Sequence, residues 1–592
     1  MVVVANEFAG NAPPLVSEMP TVVRVQPDVA ALHRSFDYAV PETWRAANDI
    51  NLNVGSRVRI ELHGRRVGGW VTELDPDPAV DVELRLLQKW SGLGPNGPMI
   101  DLANWLAYRW VGSPAKALRT ASPPKNVYRL PAAAVARWTG PVDPSAAQVF
   151  EGEGSVVRAA PGTDRWPLVL AAAARGNPLL LMPTIGAAKQ LAGRLRRSGL
   201  EVALLPDDWA RAAGGAIVVG TRAAVLGPVG GIGAIVVFDE HDDAYREERT
   251  PTWHAREVAI ERSRRAGVPC VLVSPAPSVE AVNALPLSVP DRQREHAGWA
   301  AVSVVDRRSE PPGRLGLFSE ELVRALSLPG RVACILNRTG RVRLLACVAC
   351  GELTSCDTCQ GAVRQVDDST LTCSRCGEQR PPVCAACGGA RLKNLVLGVS
   401  RAREELSALL NEPVGEVTAS DSSDAHARVV IGTEALLRAT PDRNAPWTSV
   451  AFLDFDQHLT ALRQQAESEA MGLLVMASRL VGPRRNGGRI LIQTRMGEHR
   501  VLDAARRADT GPLTEAWQEQ AKAMRWPPAV AQAEVSGKGA AGFIERLGNP
   551  IGLDVLGPNE DRWLIRAPNN EALVSELARI DRGDDRLRLA VH

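Results

Sequence analysis

The chain has 592 residues, which at roughly 150 residues per domain predicts about four domains instead of a single core. Its 69 basic and 67 acidic side chains give a net charge of only +2, so any surface that attracts nucleic acid must be local. No apolar run reaches the ~18 residues that span a bilayer, and the N-terminus lacks the basic and long apolar segments of a signal peptide, which predicts a cytoplasmic protein.

The first part of the chain predicts a small β-domain, residues 1–92. Apolar and polar residues alternate in "TVVRV", "SFDYAV", "SRVRIEL" and "GGWVTEL", and Gly and Pro separate these segments. From residue 98 to 120 the apolar spacing becomes helical, with a Gly-Ser-Pro turn between two segments. This pattern predicts a helix-turn-helix within residues 93–140, followed by a Pro/Ala-rich linker.

Two regions predict parallel sheets covered by helices. Residues 141–325 contain short apolar strands such as "PLLLMP", "AIVVG" and "PCVLVSP" that alternate with helical segments. A second series occupies residues 326–345 and 391–500, and residues 501–592 mix helix and strand as in an α+β domain. The predicted fold class is therefore multidomain α/β.

The segment "AIVVFDEHDDAY" predicts a buried strand that ends on the acid pair Asp239-Glu240. In a nucleotide-driven motor, such a pair holds Mg²⁺ and positions the attacking water, and a G-x-x-x-x-G-K-[ST] loop grips the phosphates. The corresponding segment here, "RAAPGTDRWPLVL", keeps Gly162 and Thr163 but continues with Asp164-Arg165-Trp166.

These replacements remove the features with which the loop would hold ATP and Mg²⁺. Asp164 repels phosphate, Trp166 offers no ligand to Mg²⁺, and the planar fork of Arg165 is a poor substitute for a compact ammonium. We therefore expect no effective phosphate grip, and interpret Asp239 and Glu240 as a strand-end acid cluster that serves helix capping and surface charge.

Eight of the ten cysteines lie between Cys347 and Cys387, in four C-x-x-C pairs. In a long cytosolic chain this pattern is typical of zinc sites, and redox-active thiols are the less favoured alternative. The 13-residue spacer "QGAVRQVDDSTLT" predicts a hairpin that closes the two inner pairs onto one zinc and leaves the outer pairs to the second. The predicted sites are Zn1, with Cys347, Cys350, Cys384 and Cys387, and Zn2, with Cys356, Cys359, Cys373 and Cys376. Both sites would be closed Cys₄ sites and hence structural, within a module of residues 346–390.

The nested cysteine module, "FDEHDDAYREERTPTWHAREVAIERSRRAGVPCVLVSPAPSVEA", "GTRAAVLGP" and "LDFDQHL" together resemble the replication-restart PriA (primosomal protein N′) family. The resemblance extends from about residue 21 to the C-terminus. It implies an N-terminal 3′-DNA-binding domain, a winged helix, two RecA-like lobes, a two-zinc insert and a C-terminal domain. The family's zinc pairing is the same nested one, and its members are 3′→5′ DNA helicases that recognise forks and D-loops.

Four motor motifs depart from the family pattern. Beyond the phosphate loop, the family's Asp-Glu-Glu-His is shortened to Asp239-Glu240-His241, and its Ser-Ala-Thr-Pro motif is "SPAP" from Ser274. The Gln-x-x-Gly-Arg-x-Gly-Arg motif has become "VMASRLVGPRR", which keeps Arg479 and Arg484 but no Gln. Because these parts work together, the sequence resembles the helicase-inactive form of the family found in high-GC Gram-positive bacteria.

The resemblance also implies a pocket for the terminal nucleotide of a nascent 3′ end. Its matching residues are Phe36, Asp37, Tyr38, Gly64 and Arg85. A carboxylate accepts a hydrogen bond from a free 3′-hydroxyl and repels a 3′-phosphate, while aromatic rings stack on the base. Without the family, Phe36 and Tyr38 on one strand face are more often core residues.

Three functions remain open from the sequence. The favoured one is a zinc-stabilised DNA-binding scaffold that recruits the primosome through the single-stranded DNA-binding protein's tail and the replicative helicase or its loader. The second is an active ATP-dependent 3′→5′ helicase with a divergent nucleotide site, and the third is a protein-binding zinc adaptor.

Overall fold

The structure is a computed structural model that describes most of the chain. The described residues are 19–30, 32, 34–45, 50–77, 83–132, 137–309, 317–336, 345–352, 354–357, 363–367, 369–373, 377–394, 399–417, 426–438, 445–461, 463–583 and 585–592. They form two compact units. The first comprises Met1–Val157, Arg165–Ser288 and Trp517–His592, and the second comprises Arg158–Asp164 and Val289–Ala516.

The N-terminal domain is an antiparallel sheet of five strands in the order β2-β1-β4-β3-β5. The elements are β1 Val22–Pro27, β2 Phe36–Ala39, α1 Glu42–Arg45, β3 Arg57–Leu62, β4 Arg65–Leu74 and β5 Lys89–Trp90. Strands β3 and β4 are joined by His63 and Gly64, whose φ angles of 49° and 74° fit the type I′ turn of a two-residue hairpin. Alternate apolar residues of the strands, among them Val23, Val25 and Ile60, form its core.

Two helices follow, α2 Gly97–Arg109 and α3 Pro114–Ala121. The Asn96 side chain caps α2 by accepting from the Met99 amide, and a proline opens α3. Their apolar faces share one core with the sheet that comes next in the chain. Residues 93–132 contain the predicted pair of helices but no strand. The winged-helix assignment therefore stays a prediction.

The first unit contains a parallel seven-stranded sheet in the order β12-β6-β11-β10-β7-β9-β8. Its strands are β6 Gly154–Arg158, β7 Asn177–Leu181, β8 Val202–Leu204, β9 Ile217–Gly220, β10 Ile232–Phe238, β11 Cys270–Ser274 and β12 Leu287–Ser288. The helices between them are α4 Pro144–Gln148, α5 Trp166–Ala174, α6 Ile185–Arg197, α7 Trp209–Ala213, α8 Ala255–Ala266 and α9 Val279–Ala284. The central strands are buried on both faces, as expected where helices cover a parallel sheet.

The second unit contains a parallel six-stranded sheet in the order β13-β23-β22-β14-β21-β20. In chain order the unit has α10 Arg292–Ala297, β13 Ala301–Asp306, α11 Glu320–Leu326, β14 Arg331–Ile335, β15 Leu345–Cys347, β16 Val363–Asp367, β17 Thr370–Cys373, β18 Gln379–Arg380 and β19 Leu392–Asn394. It continues with α12 Val399–Leu410, β20 Val414–Val417, β21 Val429–Gly432, β22 Trp447–Phe452, α13 Asp456–Leu459, α14 Ala466–Val481, β23 Arg489–Thr494 and α15 Arg500–Arg507. Helix α16 Gly511–Met524 follows, and the boundary of the unit, after Ala516, falls within it.

The sheet pairing differs from the predicted lobe boundary at one strand. Strand β13 lies within residues 141–325, the range predicted for the first lobe, but it pairs in parallel with β23 of the second sheet over six residues. An apolar run predicts a strand without specifying its neighbour. The other predicted domain limits stay predictions.

The C-terminal part of the first unit is an antiparallel sheet in the order β25-β26-β24-β27 with two helices. Its elements are β24 Ala531–Ser536, α17 Ala540–Leu547, β25 Asp554–Asn559, β26 Arg562–Ala567, α18 Asn570–Arg579 and β27 Arg588–Val591. The predicted multidomain α/β fold class, with two parallel-sheet lobes and separate antiparallel domains, is confirmed. Among the helices of the described residues, none is both long and apolar enough to cross a lipid bilayer.

Candidate functional site

The loop expected to grip phosphate is packed against protein within the second unit. The Gly162 amide donates to the Gly298 carbonyl at 2.8 Å, and the Thr163 amide donates to the Ala160 carbonyl at 3.0 Å. A Cβ on Gly162 would lie 2.8 Å from the Gly298 oxygen and 3.1 Å from Pro483 Cβ. Two amides that would face a phosphate therefore already have acceptors, and a neighbouring chain segment occupies the space beside the glycine.

Arg165, which stands at the lysine position of the motif, is bound to the first acid of the pair. Its Nη2 lies 2.7 Å from Asp239 Oδ1 and its Nη1 lies 3.0 Å from Asp239 Oδ2. The two side chains are only 18% and 5% exposed. A bidentate Arg–carboxylate pair with little solvent is geometrically specific and stronger than a neutral hydrogen bond. Arg165, at the motif position that binds phosphate, and Asp239, at the position that binds Mg²⁺, thus neutralise each other.

Trp166 follows as the first residue of α5, in the slot where the motif has Ser or Thr. Its ring lies under the guanidinium of Arg194 from α6, with 4.1 Å between Arg194 Cζ and the ring centroid. This is a cation–π contact, which anchors the indole in the fold. The position therefore supports packing and provides no oxygen ligand for a metal ion.

The second acid, Glu240, is completely buried and Asp239 nearly so, which makes the expected surface charge of this pair wrong, because both carboxylates are bound inside the fold. Its Oε1 accepts from the Ser278 amide at 2.8 Å, and its Oε2 accepts from Ser278 Oγ at 2.8 Å and from Arg256 Nη1 at 2.9 Å. Ser278 is also the N-cap of α9. Burial favours neutral Arg256, but Glu280, Glu240 and Glu257 outweigh it and raise its pKa. Glu240 is thus held by one residue of α8 and by the start of α9.

The segments Asp239-Glu240-His241 and "SPAP" are in contact with each other. His241 Nδ1 lies 2.8 Å from Ser274 Oγ, which also accepts from the Ala276 amide at 3.1 Å. This contact joins the ends of β10 and β11, which are neighbours in the sheet.

The remaining arginines of the last motif lie in the second unit. Arg484 donates to the carbonyls of Trp299 at 3.3 Å and Ala300 at 3.1 Å, and its Nη1 lies 2.6 Å from His296 Nε2. Burial and nearby Arg292 lower its pKa. Arg479 is partly buried on α14. Both arginines survive, but Arg484 is held by the backbone of its own unit.

The predicted 3′-end residues divide between the two faces of β2. Tyr38 is buried in the domain core, and its hydroxyl donates to the Glu61 carbonyl at 3.0 Å. Phe36 packs against the same core, and Arg34 lies over its ring at 4.9 Å. Core membership, the alternative open from the sequence, therefore describes Tyr38 well and Phe36 in part. Burial raises the Tyr38 pKa more than nearby Arg85 lowers it.

Asp37 lies on the opposite face of β2 and is held by a residue that the sequence did not suggest. Its Oδ1 accepts from Arg24 Nε at 2.8 Å and its Oδ2 from Arg24 Nη2 at 3.3 Å, while Arg24 Nη1 reaches Glu73 at 2.5 Å. Arg24 is the cross-strand partner of Asp37 in the β1–β2 pair. The hydrogen bond to Asp37 is the main cause that raises the Arg24 pKa. A carboxylate has about four lone-pair sites, so Asp37 keeps acceptor capacity for a hydroxyl.

Arg85 meets Tyr38 at a shared partner, Glu61. Arg85 Nη1 pairs with Glu61 Oε1 at 2.8 Å, and the Glu61 carbonyl accepts from the Tyr38 hydroxyl. Gly64 is in the β3–β4 turn, and a Cβ there would meet nothing within 4 Å, so the turn faces open space. The structure thus brings Tyr38 and Arg85 together at Glu61, which the sequence did not single out.

Zn1 has the geometry that zinc requires. The Sγ atoms of Cys347, Cys350, Cys384 and Cys387 all lie within 4.8 Å of one another. Two of these pairs are separated by 3.5 Å and 3.6 Å, close to the ~3.8 Å edge of a tetrahedron with Zn–S bonds of ~2.3 Å. Four thiolates in this arrangement fit a closed structural Zn²⁺.

The two outer cysteine pairs are built as matching turns. The Gly351 amide donates to the Cys347 carbonyl and the Gly388 amide to the Cys384 carbonyl, both at 2.9 Å, and both glycines have φ above +70°. Strands β15 and β19 pair antiparallel and hold Cys347 opposite Leu392. The backbone therefore shapes the site before a metal binds.

Zn2 is described only in part. Cys359 and Cys376 lie outside the described residues, while Cys356 and Cys373 are buried together with Leu345, Val363 and Leu371. The predicted hairpin is present as antiparallel β16 and β17, and Gly377 repeats the left-handed turn with its amide on the Cys373 carbonyl at 3.2 Å. The second zinc stays a prediction.

Comparisons with known proteins find similar sequences for most of the chain. Residues 22–123 match the family model described as the 3′ DNA-binding domain of PriA. The chain is 27% identical to a probable replication restart protein PriA from Mycobacterium leprae, over 93% of each chain. It is 25% identical to the replication restart protein PriA of Bacillus subtilis, over 64% of this chain and 53% of that protein.

Among solved structures, a DEAD box protein from Methanococcus jannaschii is 12% identical and covers 60% of this chain, with 86% of its own chain covered and a TM-score of 0.32. That likeness is too low to support an argument. The N-terminal match and the sequence relatives show that the chain is similar to replication restart proteins named PriA over most of its length.

Proposed function

We propose that the protein is a replication-restart factor that binds forks and D-loops with a nascent 3′ end and helps to reload the replicative helicase, without unwinding DNA itself. The DNA-binding half of this proposal is supported by the match of residues 22–123 to a 3′ DNA-binding domain. The names of the relatives support the restart role.

The absence of unwinding is supported by one observation above all, the bidentate pair between Arg165 and Asp239. A motor needs a cation on the β- and γ-phosphates and a carboxylate for Mg²⁺. Here the two groups satisfy each other, and Glu240, which would position the water, is bound by Arg256 and Ser278. ATP binding would have to break a desolvated charge pair before it gained any contact.

We propose two structural zinc ions as the cofactors, and the tail of the single-stranded DNA-binding protein and the replicative helicase or its loader as partners. These partners are the ones that the resemblance to the PriA family implies. The expected location is the cytoplasm, at replication forks.

The DNA-binding role predicts discrimination between 3′ ends. We expect the protein to bind a fork whose nascent strand ends in 3′-hydroxyl roughly tenfold more tightly than one ending in 3′-phosphate, since Asp37 would accept from the hydroxyl and repel the phosphate. Fluorescence anisotropy titrations with the two forks at equal salt measure this ratio.

Asp37→Asn should abolish the preference, while the matched change Asp101→Asn, at an exposed position on α2, should leave it intact. Equal affinity of the wild-type protein for both ends would remove the role assigned to Asp37. Failure to bind any fork at moderate salt would instead favour a protein-binding zinc adaptor.

The His241–Ser274 contact favours the active helicase as the second candidate, since it links two motor motifs. Purified protein is expected to hydrolyse no ATP, with or without forked DNA, in a coupled phosphate-release assay. DNA-stimulated turnover that disappears in a folded Glu240→Gln variant would establish the helicase and overturn the proposal.

A further inference from the structure

A cavity in the first unit lies beside strand β5 and the segment that follows α3. Its volume is about 540 Å³, within the ~300–1,000 Å³ range of small-ligand sites. Three aromatic residues and two cations line it: Trp44, Trp90, Tyr128, Lys89 and Arg129. None of Phe36, Asp37, Tyr38, Gly64 and Arg85 does so.

The backbone holds two of the aromatic rings together. Trp90 ends the edge strand β5, and the chain beyond it approaches residue 127 closely, with the Leu93 amide 2.6 Å from the Val127 carbonyl. Gly92 permits this approach, because its φ is +99° and a Cβ would lie 2.4 Å from the Val127 oxygen. The rings of Trp90 and Tyr128 consequently meet edge to face, with centroids 5.4 Å apart.

The lining has the chemistry of a nucleotide site. Tyr128 is 48% exposed although it is a large aromatic residue, and the Lys89 and Arg129 side chains are exposed beside it. No carboxylate is among the described residues that line the cavity, so its charge is positive. The Trp90 Nε1 is buried and has no acceptor among the described residues, which leaves one hydrogen-bond donor unused.

We propose that this cavity binds one nucleotide of single-stranded DNA, with the base against Trp44, Trp90 or Tyr128 and the adjoining phosphates on Lys89 and Arg129. Every base has a π-face, so such a contact is independent of sequence, and the two cations follow the backbone. The inference rests on the proposed DNA-binding function and extends it to DNA that offers no free 3′-hydroxyl.

The test uses the full-length protein and labelled 12-mers of thymidylate that end in 3′-phosphate, so that recognition of a 3′-hydroxyl cannot contribute. We expect Tyr128→Ala to weaken binding about tenfold, as for the loss of one base–aromatic stack. The pair Lys89→Glu with Arg129→Glu should weaken it further. Two lost phosphate contacts should lower the slope of log affinity against log salt by roughly 1.4.

A matched charge change, Lys189→Glu at an exposed position on α6, should leave affinity unchanged. Wild-type protein should bind a 12-mer with abasic central positions more weakly than the thymidylate 12-mer. The Tyr128→Ala variant should bind the two 12-mers with equal affinity. The replaced side chains are exposed, so the fold should tolerate the changes.

The outcomes separate the inference from the function it extends. Wild-type binding to forks combined with unchanged 12-mer binding by all cavity variants would overturn the inference alone. Loss of fork binding by the wild-type protein would remove the proposed function and the inference together. An acidic peptide that binds wild-type protein but not the cavity variants, while the 12-mer binds both, would assign the cavity to a protein partner instead.

Discussion

Replacing Cys350 with serine is expected to remove one zinc from the protein and to unfold the cysteine module. Zinc in closed Cys₄ sites supplies about 10–16 kcal/mol of apparent binding free energy, and this free energy is folding free energy for a module too small to build a core. The described apolar cluster of the module holds only Leu345, Cys356, Val363, Leu371 and Cys373 as its buried members. Zinc content by atomic absorption should fall from two ions per chain to one.

The control for this experiment is Cys270→Ala. Cys270 is buried in β11, where burial raises its thiol pKa to about 12, and it lies outside the module. Its replacement should leave both zinc ions in place. Protein purified without chelator that holds no zinc, or a Cys350→Ser variant that retains the wild-type amount, would contradict the Zn1 site. Limited proteolysis of residues 345–394 should distinguish the folded from the unfolded module.

Replacing Glu240 with alanine is expected to destabilise the first unit by about 3–5 kcal/mol. The change leaves Arg256 buried, with its side chain only 6% exposed, and removes its closest charge partner. It also takes from Ser278 the acceptor of its backbone amide and of its hydroxyl. Urea unfolding followed by far-UV circular dichroism measures the shift in the midpoint of the first unit's transition.

A matched control exists in the same cluster. Glu280 also faces Arg256, but at 3.6 Å and with 31% of its side chain exposed, so Glu280→Ala should cost less than about 1 kcal/mol. Adding Arg256→Met to Glu240→Ala should recover part of the lost stability, since the unpaired charge is then gone. If Glu240→Ala proves as stable as Glu280→Ala, the structural role of Glu240 is wrong.

The sequence predicted the parts of the fold that depend on local pattern. Alternation in residues 21–91, the strand that ends at Phe238 and the hairpin between cysteine pairs all appear in the structure. The cysteine spacing and the predicted hairpin together predicted that the sulfur atoms of the two outer pairs meet, because C-x-x-C turns limit where those atoms can lie. Both of the lone thiols, Cys270 and Cys334, are buried as expected.

What the sequence did not supply is the pairing of residues distant in the chain. Arg165 and Asp239 are 74 positions apart, and only the parallel sheet brings the start of α5 to the end of β10. The same holds for Arg256 and Ser278 around Glu240. The contact between Arg24 and Asp37 is more local, since the antiparallel β1–β2 pair places these two residues opposite each other. The sequence could have predicted this contact if the register of the pair were known.

The ion pair between Arg165 and Asp239 limits what a single substitution can build at this place in the fold. Arg165→Lys would exchange the two-pronged partner of Asp239 for a single ammonium, while Trp166 and Glu240 would keep their contacts with Arg194 and Ser278. A lysine introduced alone would therefore weaken the ion pair without completing a phosphate site. Building a nucleotide site here would need several simultaneous substitutions.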